Sequence, residues 1–377
     1  MLKFFLIFMV ANIWGCVDQQ NPRDMFEVTG DPDEIYSTIS PLIETIISDR
    51  SNLAGVGVGV VNAKGRWVFG FGNQAPDQIM HPPGKSYYEL GGITKVFTGL
   101  LLALAHSEDK VDLDGDVESC DKQAEKMPCK KLTSLTWRKV AVHHGGLSAV
   151  PNNLGFGDDA LRTYRPEDLS EYLKNILPNE VGEGDTKFED SFVGYAMIAA
   201  QLEEQYQLSY EKMLDDKIVS PLGIYATRVQ LTSSERERLV IGADKNGLVT
   251  ERYIDSGLGL VGGHGLYSTL DDLNIVLAAH MSEFESSLKE TIEVAIKPNE
   301  KFSGETANSK MGFSWQILNS GAIWHSGYGA MHTGILIFDP EAKIGVSVFA
   351  GEAMPRGIIE NLGIKVLNRL LHQRKRK

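Results

Sequence analysis

The sequence predicts an α+β fold, in which one antiparallel sheet has helices on both faces and carries an inserted, mainly helical lobe. Three observations predict it. Strand-like runs occur early, between residues 55 and 71. The middle, from about 111 to about 300, reads mostly as helix and loop. Short β-rich runs then return between 313 and 350. Early and late strands most simply share one sheet, with the helical middle as an insertion between them.

The chain starts with Met1-Leu-Lys3 and the apolar run Phe4 to Val10, too brief to span a bilayer as a permanent helix, which reads as an export signal. This segment closes with Ile13-Trp-Gly-Cys16, which resembles a bacterial lipobox and would make Cys16 the lipidated first residue. An ordinary cleaved signal, or an uncleaved anchor with an incidental Cys, is the alternative. Residues 1–16 are thus expected to be a signal peptide, 17–30 a polar tether and 31–377 the folded domain. Its α/β part is expected at about 31–110 and 300–377, and its helical lobe at about 111–299.

Ile35, Ile39, Leu42, Ile43, Ile46 and Ile47 recur at helical spacing, giving an amphipathic helix. Gly55 to Val61 and Arg66 to Phe71 form a β-hairpin about the turn-forming Asn62-Ala-Lys-Gly65. Ile93 to His106 is apolar and helical. Pro151, Pro166, Pro178, Pro221 and Gly223 punctuate the middle. Phe313 to Leu318, Ala322 to His325, Thr333 to Phe338 and Ile344 to Ala350 read as strands, and 357–372 as a closing helix. The chain contains no internal repeat and no low-complexity tract.

A length of 377 residues with 42% apolar content supports a large core in one large or two intimately packed domains, and excludes disorder. The net charge of -13 argues against a nucleic-acid partner, which needs clustered cations to displace counterions. The basic run is the tail Arg374-Lys-Arg-Lys377, read as a solvated end or as a contact with anionic lipid or cell-wall polymer. Of three cysteines, Cys120 and Cys129 flank a polar insertion. In an oxidising compartment they can close a small disulfide loop, with two free thiols as the alternative. No His/Cys quartet with zinc spacing accompanies them, so no metal and no cofactor is expected.

The chemistry concentrates in Tyr88-Glu-Leu-Gly-Gly92-Ile-Thr-Lys95-Val-Phe-Thr98. With it stand Val111-Asp-Leu-Asp114, Leu135 to Leu147 containing His143-His144-Gly-Gly-Leu147, Gly194-Tyr195, Ser220-Pro-Leu-Gly-Ile224, Gly262 to Thr269 and His325-Ser-Gly327. In order and spacing these pieces resemble the β-lactamase-related family of class C β-lactamases, DD-peptidases and serine esterases, from roughly residue 35 to 370. The family places Ser-x-x-Lys at a buried helix start so that the Lys takes the hydroxyl proton. The resemblance puts Gly92 where that Ser stands and retains Lys95. The family's Tyr-x-Asn falls on Asp190-Ser191-Phe192, and its third motif on His325-Ser326-Gly327. It also implies backbone oxyanion donors at Gly92 and Tyr328, which do not depend on side-chain identity. Ser191, Phe192, His325, Ser326 and Gly327 would then line the ligand cleft.

A member lacking the nucleophile, the proton-handling Tyr and the substrate-holding amide is expected to be a pseudoenzyme. Its cleft would bind peptidoglycan stem peptide, or its surface another envelope protein, with the chain lipid-anchored in the bacterial periplasm. Val17 and Asp18 do not match an inner-membrane retention signal, which points to the outer membrane. One alternative is a hydrolase in which Asp190 and Lys95 activate a water; another is a pure scaffold whose cleft Phe192 fills. Lys95 is either a retained site group or a buried cation paired with Asp190. His325 either orients a ligand carboxylate or is satisfied by a neighbouring carbonyl. Adjacent helical residues point apart, so His143 and His144 are assigned to capping and packing rather than to metal. Gly262 to Gly265 is expected to be a tight turn.

Overall fold

The computed structural model describes residues 30–50, 53, 55–72, 83–119, 130–157, 160–175, 187–244, 249–250, 257–299, 301–306 and 309–374. The expected signal peptide, Cys16, the tether up to residue 29, Cys120 and Cys129 lie outside them.

Among the described residues seven strands form the main sheet: β1 (Val56–Asn62), β2 (Gly65–Phe71), β3 (Ser309–Met311), β4 (Gln316–Leu318), β5 (Ile323–Tyr328), β6 (Thr333–Asp339) and β7 (Ile344–Ala350). Their order is β2-β1-β7-β6-β5-β4-β3, antiparallel throughout, so the early hairpin pairs with the last strand. The principal helices are α1 (Pro32–Ser48), α2 (Thr94–Ser107), α3 (Trp137–Ala141), α4 (Pro166–Asn175), α5 (Phe192–Tyr206), α6 (Tyr210–Leu214), α7 (Leu270–His280), α8 (Lys289–Ile296) and α9 (Ile358–Arg374).

The alternation in β1 explains the layering. Val56, Val58 and Val60 face one core, built with α1 and α9. Gly57 and Gly59 face the other, where a Cβ would meet Leu270 Cδ1 at 2.6 Å and Asn274 Oδ1 at 2.2 Å. Strand glycines thereby let α7 press against the sheet. α1 starts where the Asp31 side chain accepts the Asp33 N–H at 2.9 Å ahead of Pro32, and it buries Ile35, Ile39 and Ile43.

The antiparallel sheet with flanking helices is the expected architecture, and four details differ from the sequence reading. Phe313 to Leu318 is not one strand, because Ser314 takes φ +66° and leaves β4 only Gln316–Leu318. β5 continues through Gly327 to Tyr328. The middle contains short strand pairs, Asp116–Ser119 with Lys130–Thr136 and Gly242–Ala243 with Val249–Thr250, while Tyr267–Thr269 pairs with Tyr87–Glu89. α7, from within the stretch assigned to the lobe, covers the sheet. Among the described residues no helix is long and apolar enough to cross a membrane.

Candidate functional site

The site forms where the start of α2, the start of α5 and the second half of β5 converge. Gly91–Ile93 is a 3-10 turn leading into α2, and Thr94 anchors it by accepting the N–H groups of Gly265 and Leu266 at 3.2 and 3.1 Å. Thr98 Oγ1 donates to Gly262 O at 2.6 Å, so the Gly262–Gly265 stretch is the turn that clamps this helix. β4 pairs with β5 only at Ile323 and Trp324. From His325 onward the outer edge of β5 is therefore open to the Gly91–Ile93 turn, and only there does it serve as a sheet edge. Contact is close. A Cβ on Gly327 would lie 2.0 Å from Leu90 O, and one on Gly91 (φ +52°) 2.5 Å from Tyr328 O.

Gly92 is buried, and an added Cβ would meet Ser326 O at 3.3 Å, Lys95 Cε at 3.6 Å and Phe192 Cε1 at 3.6 Å. Phe192 therefore stands against the face that a side chain at position 92 would occupy. Lys95, 0% exposed, donates to Asp190 Oδ1, and its ammonium lies 5.0 Å from the Phe192 ring centroid. Burial pulls the Lys95 pKa down and Asp190 offsets part of that fall. Burial is the largest single influence on Asp190 and pushes it up, but Lys95, through its charge and its hydrogen bond, acts with His143 and His325 to outweigh it and hold the carboxyl far below the usual range. A carboxylate so acidic does not take the lysine proton, and the two form a charged pair.

Two residues absent from the expected site complete the surroundings of Asp190. His143 Nε2 lies 3.5 Å from Oδ1, and Arg356, just ahead of α9, lies 3.5 Å from Oδ2 and 5.3 Å from the Tyr328 ring. His143 holds φ +61°. Its carbonyl accepts from Glu189 N at 2.9 Å and its Nδ1 from Ser191 N at 3.1 Å, which places the ring proton on Nε2, toward Asp190. Burial, then the Lys95 charge, depresses its pKa well below the ordinary value. His144 turns elsewhere, to Ser303 O at 2.8 Å. The expected reason, adjacent helical residues, does not hold, because α3 ends at Ala141 and both histidines lie beyond it; His143 reaches the candidate site through a left-handed backbone that is invisible in sequence.

The remaining expected residues divide into two groups. His325 reaches the site, donating from Nε2 to Gly92 O at 3.0 Å; burial and the Lys95 charge push its pKa down to about 4, so it is neutral. Ser191 turns inward as the N-cap of α5, accepting Gly194 N at 2.9 Å and donating to Ser148 O at 2.7 Å. Ser326 and Tyr328, one strand period apart, both donate through their hydroxyls to Glu360 of α9. The Tyr328 carbonyl accepts from His264 Nε2 at 3.1 Å. The space left beside Asp190, bordered by His143, Ser314, His325 and Arg356, measures about 20 Å³. That suffices for roughly one water.

An antiparallel sheet flanked by helices, with a buried helix start carrying Lys95 set against the open edge of β5, is the β-lactamase and DD-peptidase architecture. The family model described as beta-lactamase matches residues 43–356, and the chain belongs to that family. It is similar to the beta-lactamase of Escherichia coli K12, 21% identical over 294 residues, 76% of this chain and 71% of that protein. It is also similar to protein flp of Staphylococcus aureus N315, 21% identical over 83% of this chain and 63% of that one. Among solved structures, a beta-lactamase/D-alanine carboxypeptidase from Yersinia pestis superposes with TM-score 0.76 at 18% identity, covering 91% of this chain and 99% of that one. A class C beta-lactamase from Rhodobacter sphaeroides gives 0.72 at 18% identity, covering 89% and 99%.

Proposed function

We propose that this chain is a non-acylating member of the family, a pseudoenzyme that acts by binding in the bacterial cell envelope. One observation carries the reading: position 92 has no side chain, and Lys95, the group that would take a nucleophile's proton there, is paired with Asp190. Loss of a nucleophile costs on the order of a million-fold in turnover. The roughly 20 Å³ beside Asp190 holds about one water, so a peptidoglycan stem peptide or another envelope protein would bind outside that space. Lipidation at Cys16, on the periplasmic side of the outer membrane, belongs to the same proposal. Water-based hydrolysis is the weaker reading, since a carboxylate held so far below the operating pH is a poor general base.

Labelling with a fluorescent penicillin tests the proposal. Wild-type protein should show no covalent band, and a band lost on heat denaturation before labelling would overturn the reading. Gly92→Ser alone should stay unlabelled because Asp190 still pins Lys95. The triple change Gly92→Ser, Asp190→Tyr, Phe192→Asn should label if the scaffold remains poised for acyl transfer.

A further inference from the structure

A groove in the helical lobe combines an apolar floor with carboxylates that have no counter-charge. It measures about 380 Å³, within the range of small-molecule pockets. α4 supplies Leu169 and Leu173, one turn apart. α5 faces them with Ala196, Ala199 and Ala200, at i, i+3 and i+4, so this side of the helix is cut back to methyl groups and space remains between the helices. Val229 and Val261 continue the apolar wall. The groove shares no lining residue with the space beside Asp190.

Among the described residues every charged group in the wall is a carboxylate: Glu167 at the start of α4, Glu203 near the end of α5 and Glu211 on α6. None of the three has an ion-pair partner among those residues. Glu203 is held at the groove, because its Oε1 accepts the Tyr210 N–H at 2.8 Å, and its Oε2 accepts no hydrogen bond there. The bases of the neighbouring segments do not neutralise them. Lys212 pairs with Asp216 at 2.5 Å and Arg228 with Glu235 at 3.2 Å, Lys174 also has a partner, and Arg165 is exposed ahead of α4 and outside the wall. The three carboxylates come from three helices around an apolar floor and do not form a metal-ligating cluster. An apolar body carrying one organic cation complements both features.

We propose that this groove binds a small amphiphilic ammonium compound, its hydrocarbon part between α4 and α5 and its charge at Glu203, whatever the cleft binds. The full-length protein is titrated calorimetrically at neutral pH with octylamine, 1-octanol and butylamine. Octylamine should bind saturably, one per chain. 1-Octanol, which lacks the charge, should bind about fivefold more weakly, and butylamine, which lacks half the hydrocarbon, at least about tenfold more weakly. Glu203→Gln keeps an acceptor for the Tyr210 N–H and should weaken octylamine about fivefold while leaving 1-octanol unchanged. Ala200→Phe fills the groove and should abolish binding of both, with an unchanged circular dichroism spectrum. Equal affinity for octylamine and 1-octanol, a Glu203→Gln variant that keeps the full preference for the amine, or a folded Ala200→Phe variant that still binds overturns the proposal. So does uptake of octylamine that never saturates, which would assign the amine to the acidic surface at large.

Discussion

Replacing Asp190 by Asn keeps the volume of the side chain and removes the counter-charge of a fully buried ammonium. Lys95 would retain the Phe192 ring at 5.0 Å and lose the carboxylate that His143 and Arg356 also approach at 3.5 Å. Two responses are open to it. Keeping the proton without a partner costs about 3 to 5 kcal/mol, as breaking a buried pair generally does. Releasing the proton at pH 7 costs about 1.36 kcal/mol for each of the roughly 3.4 units below 10.4, or about 4.6 kcal/mol. The smaller of the two sets the loss, which should therefore fall at about 3 to 4.6 kcal/mol. Urea unfolding at pH 7 measures it. Adding Lys95→Met to Asp190→Asn removes the stranded charge and should recover at least about 2 kcal/mol. A single variant that loses under about 1 kcal/mol, or a double variant no more stable than the single, would refute the assignment of Asp190 as the essential partner of Lys95.

Gly327→Ala should cost about 3 kcal/mol or prevent folding, because the new Cβ meets the backbone oxygen of Leu90 at 2.0 Å. Gly321→Ala, at φ +89° with open space around it, should cost only about 1 kcal/mol of backbone strain, and urea midpoints compare the two. Burial pushes His280 and His325 down to about 4, and His143 well below its ordinary value. Unfolded chains protonate these rings near 6.5 and the folded protein does not. Stability should therefore fall as pH drops from 6.5 toward 4, by about 1.4 kcal/mol per unit for each ring. Unfolding free energies across that range check it, and His280→Gln should flatten the slope by one ring's share.

Periodic apolar patterns made much of the fold legible. The isoleucines of α1 and the alternation in β1 and β2 depend on local sequence alone, and the structure places those elements within a few residues of the expected bounds. What stayed hidden depends on long-range contact. Ser314 reads as an ordinary strand residue until its left-handed backbone breaks the run before β4. Gly327 reads as a strand end, yet the lack of a Cβ is what lets β5 pass against Leu90 and continue to Tyr328. The spacing of Gly92 and Lys95 pointed to the candidate site, but Arg356, His143 and Glu360 approach it from distant segments without any motif to announce them. Ser191 and Ser326 kept their places in the chain while their hydroxyls served a helix cap and a carboxylate on α9.

The ion pair at the heart of the cleft also sets the terms on which the chain can change. Tyr at position 190 alone would strand the Lys95 cation, and Ser at position 92 alone would face a lysine already held by Asp190. One charge ties the three positions together, so none can be exchanged without changing what the other two require.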